Sequence, residues 1–234
     1  MRERICPRDR LDRDDPGLEL HPQGLPGGPG HSRLSPGGCV LNRDPMRLFV
    51  AINIPKKERD RIHRSARVLR EQNYPVRWVL PDLFHLTLRF LGEVRPESVS
   101  SLEGVLEGVA RSTEQFSMKM GGFGAFPTIR RPQVLWVGVE PSPALRCLKQ
   151  DLEWALSEGG FDRETRAFHP HFTLGRAAAD DGAGAFRGLD VLASELTYAS
   201  EPKIRKVDLM ESHLSSSGAR YEVLSSFPMK SPKG

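Results

Sequence analysis

Two stretches decide the fold: Phe84-His85-Leu86-Thr87-Leu88-Arg89-Phe90-Leu91-Gly92 and His169-Pro170-His171-Phe172-Thr173-Leu174-Gly175-Arg176. In both, apolar residues alternate with polar ones, the pattern of a strand with one buried face. Successive side chains along a strand point to opposite faces. Phe84, Leu86, Leu88 and Phe90 are therefore expected in the core, with His85, Thr87 and Arg89 on the open side. In the second stretch Phe172 and Leu174 face inward, His171 and Thr173 outward. Each strand thus presents an imidazole beside a hydroxyl, and the pattern His-x-Thr-Leu occurs twice, 171 − 85 = 86 residues apart. A single His-x-Thr is ordinarily a solvated polar face. The same pair in two matching contexts points to a site.

Outward from these strands, each is preceded by a helical pattern. Lys56–Gln72 carries Ile62, Ala66 and Leu69 on one face, and a helix from near Ser142 carries Leu145, Leu148, Leu152 and Leu156. Each half runs helix and then His-x-Thr-Leu strand, which predicts a pseudo-twofold arrangement. Pro96 opens another helix, with Val99, Leu102, Leu106 and Val109 at helical spacing. Further strands are expected at Arg47–Ile54, Val76–Leu80, Gln115–Met120, Gln133–Val139, Glu195–Tyr198, Ile204–His213 and Tyr221–Phe227. Gly121–Pro132 reads as a Gly/Pro/Arg-rich loop. Irregularly interleaved helices and strands make the class α+β or mixed-sheet α/β.

The chain has 234 residues, 38% of them hydrophobic and 27% charged, which suits one large domain or two small ones sharing a core. No run of ~18 apolar residues occurs, so no helical membrane span is expected. Thirty-four basic against 30 acidic residues leave +4, compatible with an anionic ligand without requiring one. Cys6, Cys39 and Cys147 form no CxxC, which argues against a disulfide framework and for a reducing, cytoplasmic setting. Residues 1–45 hold 7 Pro and 7 Gly and no Phe, Tyr or Trp, too little apolar surface to offset the entropy of ordering them. They are expected to be a disordered extension or a start-site artefact, with translation beginning at Met46. The globular unit is expected to span 46–230.

Two histidines beside two hydroxyls suit phosphodiester chemistry. A neutral imidazole takes a proton from a nucleophile, a protonated one gives a proton to a leaving oxygen, and a reference pKa of ~6.5 makes both forms accessible. Thr87 and Thr173 are placed to hold phosphate oxygens, and Arg176 to stabilise charge developing on phosphorus. His169, lacking a Thr two residues on, is expected to support the strand start. His63 is expected on a solvated helix face, and His213 is a weaker candidate for the site. No HExxH, acidic cluster or His/Cys ligand spacing is present, so neither a metal nor another cofactor is expected.

These motifs, with Arg47-Leu48-Phe49-Val50-Ala51-Ile52, Arg131-Pro132-Gln133-Val134-Leu135-Trp136 and the Ser212-His213-Leu214-Ser215 to Tyr221 segment, resemble the 2H phosphoesterase superfamily. Within it they are most similar to the prokaryotic RNA 2′,3′-cyclic phosphodiesterases, also called 2′-5′ RNA ligases. The resemblance covers about Met46 to Pro228; residues 1–45 have no counterpart. It implies an α+β, two-lobed, pseudo-symmetric fold with antiparallel sheets lining a central cleft and helices outside. It implies hydrolysis of an RNA 2′,3′-cyclic phosphate end to a 2′-phosphomonoester and an ATP-independent 2′-5′ ligation. His85 is then the expected proton donor and His171 the proton acceptor, with Thr87, Thr173 and Arg176 on the phosphate and Arg89, Arg130 and Arg131 as candidate RNA contacts. The expected partner is RNA with a cyclic phosphate end, acted on by a monomer with no obligate protein partner and no membrane. Two alternatives stand beside this: a phosphodiesterase for a small cyclic nucleotide, and a nucleotide- or RNA-binding module without turnover.

Overall fold

Strand β1 (Met46–Asn53) contains the run Leu48–Ile52 because both of its faces are covered. Leu48, Val50 and Ile52 face a layer of helices, while Phe49 and Ala51 pack with Met210 on the opposite side. The structure, a computed structural model, describes residues 44–178, 184–215 and 218–232. The expectation for residues 1–45 falls almost wholly outside the described residues.

After β1 come α1 (Lys56–Ser65) and α2 (Arg67–Arg70), a helix broken at Ala66. Its apolar face is as the sequence predicts: Ile62, Ala66 and Leu69 are all buried. Then follow β2 (Val76–Trp78), a short 3₁₀ turn at Pro81–Leu83, β3 (His85–Val94) and α3 (Pro96–Ser112). Next are β4 (Phe116–Ser117), β5 (Met120–Thr128), β6 (Arg131–Val139) and α4 (Pro143–Glu158), the last capped by the Ser142 hydroxyl accepting from the Leu145 amide. The chain continues through β7 (His171–Ala177), α5 (Leu189–Glu195), β8 (Ala199–Ser200), β9 (Lys203–Ile204), β10 (Lys206–Ser215) and β11 (Gly218–Pro228). No helix among the described residues is long and apolar enough to cross a membrane.

The strands pair antiparallel in the order β11-β10-β1-β3-β7-β6-β5-β8, with β2 beside β7 and β4-β9 apart. Two four-stranded halves meet where β3 pairs with β7 at a single register pair, Leu86↔Phe172. Those are the middle residues of the two His-x-Thr motifs, so the predicted pseudo-twofold relation centres on them. One face of the sheet is buried under α1, α3 and α4 through Ile62, Leu102, Leu106, Leu148 and Leu152. The other face is the concave floor of a cleft.

Three expectations are corrected. Gly121–Pro132 is mostly strand, forming the β5–β6 hairpin. Two of its glycines mark crowding: a Cβ at Gly124 would overlap the Trp136 ring, and one at Gly121 would meet the Tyr198 carbonyl, whereas Gly122 stands in open space with φ +72°. Glu195–Tyr198 is the end of a helix and its exit, the strand following at Ala199. Finally, Phe90 is not in the core: it is 63% exposed. Ala51 pairs with Thr87 and Val50 with Arg89, which leaves Leu88 as an extra residue in a β-bulge. The bulge keeps Leu88 and Arg89 on the helix side and turns Phe90 toward the cleft.

Candidate active site

The second motif carries the same irregularity. Trp136 pairs with Thr173 and Leu135 with Gly175, so Leu174 is the extra residue there. Strict alternation would set Arg176 against the core. The bulge brings it to the cleft instead, as it does Phe90, and both residues stand five positions after their histidine. In each motif the carbonyl of the bulged leucine finds a donor outside the ladder. Leu174 O accepts from the Val79 amide at 2.8 Å, and Leu88 O from Lys149 Nζ at 2.8 Å.

The cleft has a volume of about 440 Å³ and is lined by His85, Thr87, Phe90, His171, Thr173 and Arg176, with Arg47, Phe126, Ser212 and Tyr221 on its walls. The two imidazoles are held alike. His85 Nδ1 lies 2.8 Å from the Leu83 carbonyl, and His171 Nδ1 lies 2.6 Å from the His169 carbonyl. A carbonyl only accepts, so Nδ1 carries the proton and Nε2 is left for exchange in the cleft. An aromatic ring stands edge-on to each: Tyr221 on His85 at 5.0 Å and 85°, Phe126 on His171 at 5.0 Å and 80°. Phe49 adds a third ring against His85.

Both histidines titrate below their ordinary range. For His85 the main cause is burial, opposed by the Leu83 hydrogen bond and reinforced by the positive charges of His171 and Arg176. For His171 it is again burial, opposed by the His169 hydrogen bond and reinforced by Arg176 and His169. Two such imidazoles can take a proton at one end of a bound group and deliver one at the other. Two hydroxyls and a guanidinium beside them match the oxygens of a phosphoryl group.

The structure separates the other predicted residues. His169 supplies its backbone carbonyl to His171, and its own ring packs against Phe126 at 5.9 Å. Arg89 is not in the cleft: it lies on the helix side, paired with Glu153 at 3.6 Å and Glu164 at 3.4 Å and donating to the Asp162 carbonyl. The bulge at Leu88, invisible to a period-two reading, is the reason. Arg130 and Arg131 are exposed at the tip of the β5–β6 hairpin, beyond the cleft lining. His213 lies beside Glu211 on the face of β10 opposite Ser212, which lines the cleft. His63 is only half exposed, and its Nδ1 is shielded from solvent on α1. Among the described residues no group of three His, Cys, Asp or Glu is placed to hold a metal ion. Sequence reasoning missed Phe90 and Tyr221, since an aromatic in a strand reads as core until the bulge is known, and Phe126, because its segment reads as a loop and is strand β5.

A model of the 2′-5′ RNA ligase superfamily matches residues 57–214. Among curated proteins, the RNA 2′,3′-cyclic phosphodiesterase of Archaeoglobus fulgidus is 31% identical over 186 residues, covering 78% of this chain and 99% of the relative. That of Bacillus subtilis is 30% identical, covering 77% and 95%. Among solved structures, a Thermus thermophilus protein superposes with a TM-score of 0.67 at 25% identity over 80% of this chain and all of that one. E. coli LigT complexed with 3′-AMP gives 0.62 at 26% identity, over 80% of this chain and 99% of that one.

Proposed function

The chain belongs to the 2′-5′ RNA ligase superfamily, and from that premise we propose that it is an RNA 2′,3′-cyclic phosphodiesterase using His85 and His171 as a proton-transfer pair on one phosphate. His171 takes a proton from water as the water oxygen bonds to phosphorus. The P–O3′ bond breaks, and His85 Nε2 gives its proton to the departing O3′, leaving a 2′-phosphomonoester and a free 3′-hydroxyl. Thr87 and Thr173 hold non-bridging oxygens, and Arg176 offsets the charge that builds on them. With a 5′-hydroxyl of a second RNA in place of water, the same steps form a 2′-5′ linkage without ATP.

The observation that carries this reading is the duplicated, carbonyl-tethered imidazole in one cleft. A binding module needs no second tethered Nε2. Phe90, exposed on the cleft wall at the position equivalent to Arg176 in the other motif, offers a stacking face for a nucleobase. Arg130 and Arg131 extend the basic surface at the hairpin tip, where an RNA backbone would pass. One chain supplies every group named, so a monomer suffices, and a reducing cytoplasm suits a chain without a CxxC.

The test is incubation with an RNA ending in 2′,3′-cyclic phosphate and, separately, with free cyclic nucleotides, each with and without EDTA. Conversion of the RNA end to a 2′-phosphate, insensitive to EDTA, is expected. Product carrying a 3′-phosphate, or activity lost to EDTA and restored by a divalent ion, would contradict the mechanism.

A further inference from the structure

A second cavity of about 250 Å³ opens on the other side of His85 and Tyr221, which line both it and the cleft. Its floor is made by Asp208, fully buried, whose carboxylate accepts from Asn53 Nδ2 at 2.8 Å and from Lys206 Nζ at 2.8 Å. Its walls are mixed, with Met210, Val223 and Leu83 supplying the apolar part and Asn53, Arg59 and Lys206 the polar part. The two cations at its edge are already matched by acids: Lys206 by Asp208, and Arg59 by Asp82, whose carbonyl accepts from it at 2.8 Å. A cavity so balanced is poorly suited to a phosphate. A neutral ligand with polar edges and an apolar face matches this lining, and the volume lies below the ~300–1,000 Å³ usual for larger ligands.

Resting on the reading above, we propose that this cavity binds the nucleobase of the penultimate nucleotide of the RNA. The reacting phosphate belongs to the terminal nucleotide and occupies the cleft, so any further nucleotide is the one before it. The shared wall of His85 and Tyr221 sets the two compartments one residue apart. Asn53 supplies the selectivity. Its Nδ2 is committed to Asp208 and to Met210 Sδ at 3.2 Å, so its amide oxygen is the group left for a ligand, and it calls for a base with an exocyclic amino group.

The test compares kcat/KM for adenosine 2′,3′-cyclic phosphate with that for the dinucleotides ApA and UpA ending in 2′,3′-cyclic phosphate. One more ordered base should favour ApA over the mononucleotide by roughly tenfold or more. UpA should fall below ApA. Val223→Trp, at a position 46% exposed on the cavity rim, should fill the cavity and bring the ApA-to-mononucleotide ratio down toward one. A ratio that Val223→Trp leaves unmoved, with ApA and UpA turned over equally, overturns the assignment. That result also follows if the cavity takes the terminal base, because the mononucleotide would then use it too. A wild-type protein inactive on all three substrates instead overturns the parent reading, and this assignment with it.

Discussion

At the scale of the residue, the site rests on a hydrogen bond that each motif makes with the chain two positions upstream. The carbonyls of Leu83 and His169 fix the tautomer of His85 and His171, and burial then disfavours their protonated forms. Acid–base catalysis by the pair needs one imidazole protonated and the other neutral, so activity peaks between their two pKa values. Both are lowered, so kcat/KM should follow a bell with its optimum below about pH 6.5. A rate rising steadily through pH 8 would contradict this. The same shifts bear on stability. A histidine lowered in the folded state stabilises it fully above the unfolded pKa of ~6.5, and that contribution is lost as pH falls toward the folded value. The melting temperature of the wild type should therefore drop more steeply below pH 6.5 than that of a His85→Ala/His171→Ala double variant. The threonines are worth less: Thr87→Ala and Thr173→Ala each remove a hydrogen bond worth about 0.5–1.5 kcal/mol, or up to ~3 to a charged phosphate. They should slow turnover much less than loss of either histidine, for which ~10²–10⁴-fold is expected.

At the scale of the element, the bulges at Leu88 and Leu174 convert two ordinary strands into site-bearing ones. The bulge in β3 is held by Lys149, almost buried on α4, which donates to Leu88 O and pairs with Glu153 at 2.5 Å. Lys149→Met should leave the Leu88 carbonyl without its donor while Glu153 keeps Arg89 at 3.6 Å, costing roughly 1–3 kcal/mol, the cost of an unsatisfied buried acceptor. It should also raise KM more than it lowers kcat, through Phe90. Urea melts read alongside steady-state kinetics would check both, and unchanged stability would show the bulge to be self-supporting. The bulges also mark where the sequence stops being legible. His85, Thr87, His171 and Thr173 lie before the extra residue, so simple alternation places them correctly. Arg89 and Phe90 lie after it, so alternation exchanges their faces. Arg176 is reached through its charge and through resemblance, since alternation alone points it into the core. The β5 glycines mislead for a different reason: their partner bulk, Trp136 and Tyr198, is distant in sequence, and only the folded sheet shows what fills the space above them.

At the scale of the whole molecule, two halves built alike meet at Leu86↔Phe172, and the two motif histidines lie across that seam. Phe172 is fully buried at the junction. Phe172→Ala should cost about 3–5 kcal/mol and misalign one imidazole relative to the other, so activity should fall well before the protein unfolds. The departures from symmetry matter as much as the symmetry. Arg176 stands where the other half has Phe90, and Phe126 where it has Tyr221, so one half offers charge and the other a stacking face and a hydroxyl. Under the proposed mechanism that difference would give two equivalent histidines unequal duties. The most direct measurement is the pH dependence of kcat/KM on a 2′,3′-cyclic phosphate RNA end for His85→Ala and His171→Ala separately. If His171 is the base, its removal should abolish the acidic limb of the bell and leave the basic one; if His85 is the acid, its removal should abolish the basic limb and leave the acidic one. Both limbs surviving in either variant would contradict the account.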